Sequence, residues 1–82
     1  MKPFIVIPTY NERRTIGRLI DAIFALSIPD LEVIVVDDNS PDDTAHIVRD
    51  LALRHTIHLV SRNKKLGLGS AYIAGFKKAL HL

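Results

Sequence analysis

Two short apolar runs, each followed at once by polar residues, constrain the fold of this chain more than any other feature. The first run covers residues 4–7 and leads into a polar loop at residues 8–12. The second covers residues 33–36 and leads into acidic residues at 37–38. Continuous runs rich in Val and Ile are typical of strands that are covered on both faces, as in parallel sheets. Open parallel sheets bind ligands at the carboxyl ends of their strands, so the sequence predicts a polar ligand site there.

The segment between these two runs carries a helical pattern. Pro8 is expected to end the first strand. Apolar residues spaced three and four apart predict a helix over residues 12–26. Asn11 is expected to cap this helix, and Glu12 lies where its carboxylate would interact favourably with the helix dipole.

The second strand is predicted over residues 31–36, and three features predict the helix that follows it. Ser40 is expected to be the cap, Pro41 suits the first helical position, and Asp43 is placed to close a capping box. This helix is expected to run to about residue 54. A third strand is predicted over residues 57–60.

A third helix is predicted over residues 70–80, and its small residues indicate close packing on the sheet. Strands that alternate with helices predict an α/β fold: a three-layer, Rossmann-like parallel sheet of βαβαβα order, with strand order 3-2-1. We expect residues 1–82 to form one domain, incomplete as a nucleotide-binding unit. The first strand would be an apolar edge, so either a further strand covers it or the chain self-associates there.

Composition excludes several classes of function. The net charge is only +2, which argues against nucleic acid as the main partner. The chain has no cysteine, so disulfides and thiol catalysis are excluded. No stretch approaches the roughly 20 apolar residues that span a bilayer. A cytoplasmic location is therefore expected.

Tyr10 and Glu12 are the first candidate site residues, because they follow a strand directly at the sheet's carboxyl edge. The tyrosine ring is suited to stack on a flat group. The carboxylate is suited to accept hydrogen bonds from ribose hydroxyls or from the edge of a base. The alternative is that Glu12 only stabilises the start of the first helix, which would leave the aromatic residue unexplained.

Asp37 and Asp38 are the second pair of candidates. Adjacent residues at a strand end point in opposite directions, so we expect one to face the crevice and the other to support the loop. The pair supplies too few oxygen atoms for a Mg²⁺ or Mn²⁺ site.

The loop before the third helix is a weaker candidate. The amides of residues 67–70, with Lys64 and Lys65 nearby, would suit a phosphate, but two glycines are equally common in ordinary turns. The histidines show no metal-ligand spacing and are expected at the surface or in packing. They are His46, His55, His58 and His81.

Residues 6–12, 35–42 and 62–72 together resemble the N-terminal part of a family 2 glycosyltransferase with the GT-A fold. The dolichol-phosphate and polyprenol-phosphate mannosyltransferases are the most similar subgroup. The resemblance implies a nucleotide pocket formed by Pro8, Tyr10, Glu12, Val36, Asp38 and Lys65. In that pocket Val36 and Asp38 would contact the base and ribose region, and the Lys65 loop would shape the wall.

The resemblance also implies an activity. Enzymes of this subgroup transfer a sugar, with inversion, from a nucleotide sugar, typically GDP-mannose, to a polyprenol or dolichol phosphate at the cytoplasmic membrane face. They use Mg²⁺ or Mn²⁺ held by an Asp-x-Asp motif after a fourth strand. The sequence ends at Leu82, before that motif, so the catalytic residues are expected beyond it and the 82-residue chain is expected to be inactive alone. Asp43 departs from the family, which usually has glycine there.

Two other folds with a similar strand pattern fit the sequence less well. In a phosphoacceptor receiver domain the acidic pair follows the first strand, not the second. A dinucleotide-binding domain needs a glycine-rich turn after the first strand, and residues 8–12 have no glycine. A non-catalytic nucleotide-binding or interaction module that ends at Leu82 is the main alternative, and the coding sequence downstream of Leu82 would discriminate it from a transferase.

Overall fold

The chain forms an open parallel sheet between helices. The computed structural model describes residues 2–63 and 67–82. Within them, three strands alternate with three helices, in the order β1 (Phe4–Thr9), α1 (Ile16–Phe24), β2 (Glu32–Asp37), α2 (Thr44–Leu51), β3 (Ile57–Ser61) and α3 (Leu68–Leu80). The strands are parallel and lie in the order β1-β2-β3, which confirms the predicted order 3-2-1.

The helices cover the sheet on both faces, so the predicted three layers are confirmed. Val33 and Val35 of β2 point to one face, and Ile34 and Val36 point to the other. We call these the α1–α2 face and the α3 face. The core on the α1–α2 face is built from Ile16, Ile20, Val33, Val35, Val48 and Leu51. The core on the α3 face is smaller and is built from Ile34, Val36 and Ala71.

α3 approaches the sheet closely because a glycine faces it. Gly75 is buried, and a Cβ atom added there would lie 2.3 Å from Cγ1 of Val6. Real Cβ atoms do not approach other carbon atoms so closely, so a side chain at this position would push the helix off β1. The predicted close packing of this helix is therefore confirmed.

β1 is two residues longer than predicted, because Pro8 does not end it. The strand continues to Thr9, and Pro8 pairs in register with Val36. Proline lacks a backbone N–H, but an edge strand tolerates it where that position does not donate to the neighbouring strand. In the described sheet β1 pairs only with β2, as predicted for an edge. Self-association through this edge stays a prediction.

α1 begins later than the apolar pattern predicted. Its N-cap is Thr15, and residues 13–15 form turns before the helix. Asn11 does not cap α1, and its φ of 56° places it in the left-handed region. The backbone N–H of Asn11 instead donates to Oγ of Ser40, 2.9 Å away. A partner on a distant loop therefore replaced the local capping interaction.

The predicted start of α2 was also wrong. The helix begins at Thr44 and ends at Leu51, and its N-cap is Asp43 with no side-chain capping bond. The predicted cap, Ser40, donates its hydroxyl to Asp37 instead, at 2.6 Å. Asp43 has a φ of 66°, a conformation that glycine adopts most readily. That backbone requirement gives a physical reason for the glycine expected there by resemblance.

Candidate functional site

A cavity of about 330 Å³ opens at the carboxyl edge of the sheet, where the sequence predicted a site. It lies between the end of β1, the end of β2 and the start of α3. Its lining residues are Pro8, Thr9, Tyr10, Glu12, Asp38, Gly67, Leu68 and Ala71. Of the residues predicted to form a nucleotide pocket, the structure therefore brings together Pro8, Tyr10, Glu12 and Asp38.

Strand alternation decides how the acidic pair is divided. Val33 and Val35 point to the α1–α2 face, and Ile34 and Val36 point to the α3 face, so continuing the alternation places Asp37 and Asp38 on opposite sides. Asp38 lines the cavity and Asp37 does not.

Asp37 is buried and holds two loops together. Its Oδ1 accepts hydrogen bonds from Oγ1 of Thr9 at 2.8 Å and from Oγ of Ser40 at 2.6 Å. Its Oδ2 accepts from the backbone N–H of Ser40 at 3.0 Å. With only 2% of its surface exposed, Asp37 joins the end of β1 to the loop after β2. Its position matches the predicted support of the loop.

Asp38 forms a two-point ion pair with Arg62. Nε of Arg62 donates to Oδ1 of Asp38 at 2.6 Å, and Nη2 donates to Oδ2 at 2.8 Å. Both side chains are nearly buried, at 11% and 8% exposure. Hydrogen bonding to Asp38 raises the pKa of Arg62 above its usual value. Two parallel bonds fix the plane of the carboxylate as well as its charge.

The loop after β1 is fastened to the loop after β2 by further hydrogen bonds. The backbone N–H of Glu12 donates to Oγ1 of Thr44 at 3.0 Å, and that of Arg13 donates to Oδ2 of Asp42 at 3.2 Å. The Thr44 hydroxyl donates to Asp42 and is the main reason why the pKa of Asp42 is lowered. These contacts set the backbone position of the cavity wall that carries Glu12.

Tyr10 and Glu12 present their side chains at the cavity mouth. Tyr10 is 38% exposed, and Glu12 is also exposed. Oε2 of Glu12 accepts a hydrogen bond from Oγ1 of Thr15 at 3.2 Å. The structure thus places an aromatic ring and a carboxylate beside Asp38, and their roles toward a ligand stay predictions.

One described residue of the predicted pocket is not brought into the cavity. Val36 is fully buried in the core on the α3 face, so its side chain does not reach the cavity. Lys65 lies outside the described residues, as does Lys64. The predicted phosphate loop is described only from Gly67 onward, where Gly67 and Leu68 line the cavity.

Sequence reasoning missed Arg62 as a partner of Asp38. Asp37 pairs in register with Ser61, so the residues that follow them, Asp38 and Arg62, are neighbours at the carboxyl edge. Opposite charges at corresponding positions after two adjacent parallel strands were the signal for this ion pair. Recognising it required knowledge of the register.

The described residues do not fit a divalent cation. Among them, no group of three or more His, Asp or Glu side chains is close enough to hold a metal ion. Asp37 is occupied by Thr9 and Ser40, and both oxygens of Asp38 accept from Arg62. Mg²⁺ needs about six oxygen ligands, and the two neighbouring carboxylates already bind groups of the protein.

The fold and site define a class: an open α/β sheet with a polar pocket at the carboxyl ends of its strands. Comparison with known proteins narrows this class. The profile of "Glycosyl transferase family 2" matches residues 4–81, so the chain belongs to this family. The resemblance expected from three sequence segments is thereby confirmed.

The curated relatives include a mannosyltransferase and a monophosphomannose synthase. The chain is 42% identical over 80 residues to a dolichol-phosphate mannosyltransferase of Pyrococcus furiosus, covering 96% of this chain and 23% of the relative. It is 39% identical over 77 residues to a polyprenol monophosphomannose synthase of Mycolicibacterium smegmatis, covering 92% of this chain and 29% of the relative. The chain thus spans less than a third of the length of these two relatives.

A solved structure confirms the GT-A fold. It is the mannosyltransferase PcManGT from Pyrobaculum calidifontis, in complex with GDP-Man and Mn²⁺. The TM-score is 0.86 at 32% identity, and the match covers 95% of this chain and 25% of that one. In residues 2–63 and 67–82 of the present chain, no helix is long and apolar enough to cross a membrane.

Proposed function

We propose that this chain is the nucleotide-binding half of an inverting glycosyltransferase that moves mannose from GDP-mannose to a polyprenol phosphate. The observation that carries the proposal is the cavity at the carboxyl edge, where Tyr10, Glu12 and Asp38 converge. Similarity to mannosyltransferases, among them one whose structure holds GDP-Man, also supports the proposal. A polyprenol acceptor would place the reaction at the cytoplasmic membrane face.

In this proposal the residues of the cavity bind the nucleotide rather than perform the chemistry. The ring of Tyr10 stacks on the base or ribose, as aromatic side chains do on nucleotides. Glu12 and Asp38 accept hydrogen bonds from ribose hydroxyls or base N–H groups. The start of α3, with Gly67 and Leu68, closes the opposite wall.

The cation belongs to the remainder of the protein in this proposal. A Mg²⁺ or Mn²⁺ ion would neutralise charge on the leaving nucleotide diphosphate. Because Asp37 and Asp38 already have protein partners, we assign the ligands of that ion, and the catalytic residues, to segments outside this chain. The 82-residue chain is then a nucleotide binder without transfer activity.

Calorimetric titration of the chain with GDP, with and without Mn²⁺, tests the binding step. We expect weak binding that does not depend on the cation, and weaker binding of ADP. Tyr10→Ala should lower the GDP affinity by about tenfold, the loss of one stacked base. Tyr72 is the matched control, because it has the same 38% exposure and lies outside the cavity. Equal affinity in the Tyr10→Ala variant and the wild type would refute the assigned role.

A transfer assay tests the division of labour between this chain and the rest of the protein. The chain is mixed with GDP-mannose, Mn²⁺ and vesicles that contain polyprenol phosphate. We expect no mannosyl lipid. Formation of mannosyl lipid above the level of a protein-free control would show that the chain carries its own catalytic residues.

A further inference from the structure

Arg62 connects two walls of the cavity although it is not one of the residues that line it. Two of its nitrogens hold Asp38, which lines one wall. The third, Nη1, donates to Oγ of Ser70 in the first turn of α3, at 2.7 Å. That turn also contains Leu68 and Ala71, which line the opposite wall.

The backbone of Arg62 is fixed as well as its side chain. Its N–H donates to the carbonyl oxygen of Asp37 at 2.8 Å, which extends the β2–β3 pairing by one residue. The guanidinium therefore projects from a rigid strand end and not from a free loop. A planar group anchored in this way holds its partners in one geometry with little loss of side-chain entropy.

The two-point contact fixes the carboxylate of Asp38 at the wall of the cavity. The two parallel hydrogen bonds from Arg62 set the plane of this carboxylate as well as its charge. Hydroxyl or N–H donors of a bound nucleotide would therefore meet a carboxylate that is already ionised and aligned, which lowers the cost of ordering it on binding.

We infer that Arg62 is a positioning residue for the nucleotide pocket: it aligns Asp38 for the ligand and holds the start of α3 at a set distance from it. The identity of the ligand rests on the proposed function. Arg62 acts on the nucleotide through Asp38 and the first turn of α3, and does not touch it.

Arg62→Gln in the full 82-residue chain tests this inference, with GDP as the probe. Glutamine removes the charge and cannot bond both oxygens of Asp38 and Ser70 together, so we expect GDP affinity to fall at least tenfold. Arg62→Lys keeps the charge but not the planar, forked set of donors. Its GDP affinity should lie between those of wild type and Arg62→Gln. Arg54→Gln is the matched control, because Arg54 pairs with an exposed aspartate, Asp21, far from the cavity. It should bind GDP within twofold of wild type.

A second readout needs no nucleotide. The backbone amide NMR signals of Asp38, Gly67 and Ala71 should shift in the Arg62→Gln variant and stay in place in Arg54→Gln. If wild type does not bind GDP, the proposed function fails, and the amide signals alone decide the inference about Arg62. If Arg62→Gln does not fold, the same criteria apply to Arg62→Lys. Unchanged amide signals, or GDP affinity within twofold of wild type in a folded variant, would overturn the inference.

Discussion

Two contacts between an acidic and a basic side chain, which we call acid–base pairs, join β2 to β3 at opposite ends of the α3 face. At the amino end, Nε2 of His58 lies 2.7 Å from Oε1 of Glu32. At the carboxyl end, Arg62 binds Asp38 at 2.6 Å and 2.8 Å. The same alternation that points Ile34 and Val36 toward α3 places both pairs on this face.

The two pairs differ in what surrounds them. Glu32 is also held by Nζ of Lys2 at 2.9 Å, so its charge is met by two basic groups of the protein. Asp38 lines the cavity of about 330 Å³ with Tyr10, Glu12 and the start of α3, whereas Glu32 borders a smaller one of about 200 Å³. At either end of the sheet, the pair thus connects β2 to β3. We propose a binding site only at the carboxyl end, where the loops after β1 and β2 and the first turn of α3 converge.

Asp38→Ala should have the largest effect on stability. It leaves the guanidinium of Arg62 nearly buried without its carboxylate, and breaking such a pair costs about 3 kcal/mol. Glu32→Ala should cost less, because its partners Lys2 and His58 are 54% and 26% exposed and stay in contact with water. Urea unfolding of both variants at pH 7 measures the difference. Equal costs would mean that the two ends are equivalent.

Gly75→Ala should destabilise the face that lies between the two pairs. The added methyl group would overlap Cγ1 of Val6, and overpacking of this kind costs about 1–3 kcal/mol. Because α3 would move, GDP affinity should fall too. Gly17→Ala in α1 is the control, since nothing lies within 4 Å of an added Cβ there. That variant should be more stable by about 0.5 kcal/mol. A stabilising Gly75→Ala would contradict the close packing of α3.

The amino-end pair should contribute to stability against acid. The hydrogen bond with His58, and then that with Lys2, lowers the pKa of Glu32 below its ordinary value of 4.5. A lowered pKa in the folded state contributes stability above about pH 4.5, and that contribution is lost as the pH falls through the folded-state pKa. Glu32→Gln should therefore be less stable than wild type at pH 7 and approach it near pH 3. Its GDP affinity at pH 7 should not change.

Unfolding free energies measured between pH 7 and pH 3 check this expectation. Asp21 and Asp42 also have lowered pKa values and remain in the variant, so its stability will still fall in acid. The decisive quantity is the difference from wild type. A difference that does not change with pH would show that the charge of Glu32 contributes nothing.

Asp43→Gly should have the smallest effect on stability and, unlike the substitutions of paired residues, should raise it. The φ of 66° at Asp43 is unfavourable for a residue with a Cβ, so glycine should stabilise the chain by up to about 1 kcal/mol. Asp43 precedes α2, which packs on the other face, so both acid–base pairs should be unaffected. Thermal unfolding measures the gain, with Asp43→Ala as a control that should be destabilised. Lower stability of Asp43→Gly would mean that the aspartate side chain contributes more than its backbone costs.

Local pattern was enough to predict the layers and the position of the pocket. Short apolar runs predicted the strands, and the small residues of α3 predicted its close approach at Gly75. The opposite directions of Asp37 and Asp38 followed from strand alternation alone. The starts of α1 and α2 could not be predicted, because Ser40 and Thr44 bond the loop that follows β1. The hydroxyl of Ser40, which the local pattern predicted as a helix cap, instead accepts a hydrogen bond from the loop after β1.

The sequence by itself determined the periodicities: which segments are strands, which are helices and which end of the sheet carries polar side chains. These follow from the chemistry of neighbouring residues. The tertiary structure decided the partners, because only the register of β2 against β3 brings Asp38 to Arg62 and Glu32 to His58. Residues 24 and 26 positions apart in the chain meet through strand pairing, and no local preference encodes that distance.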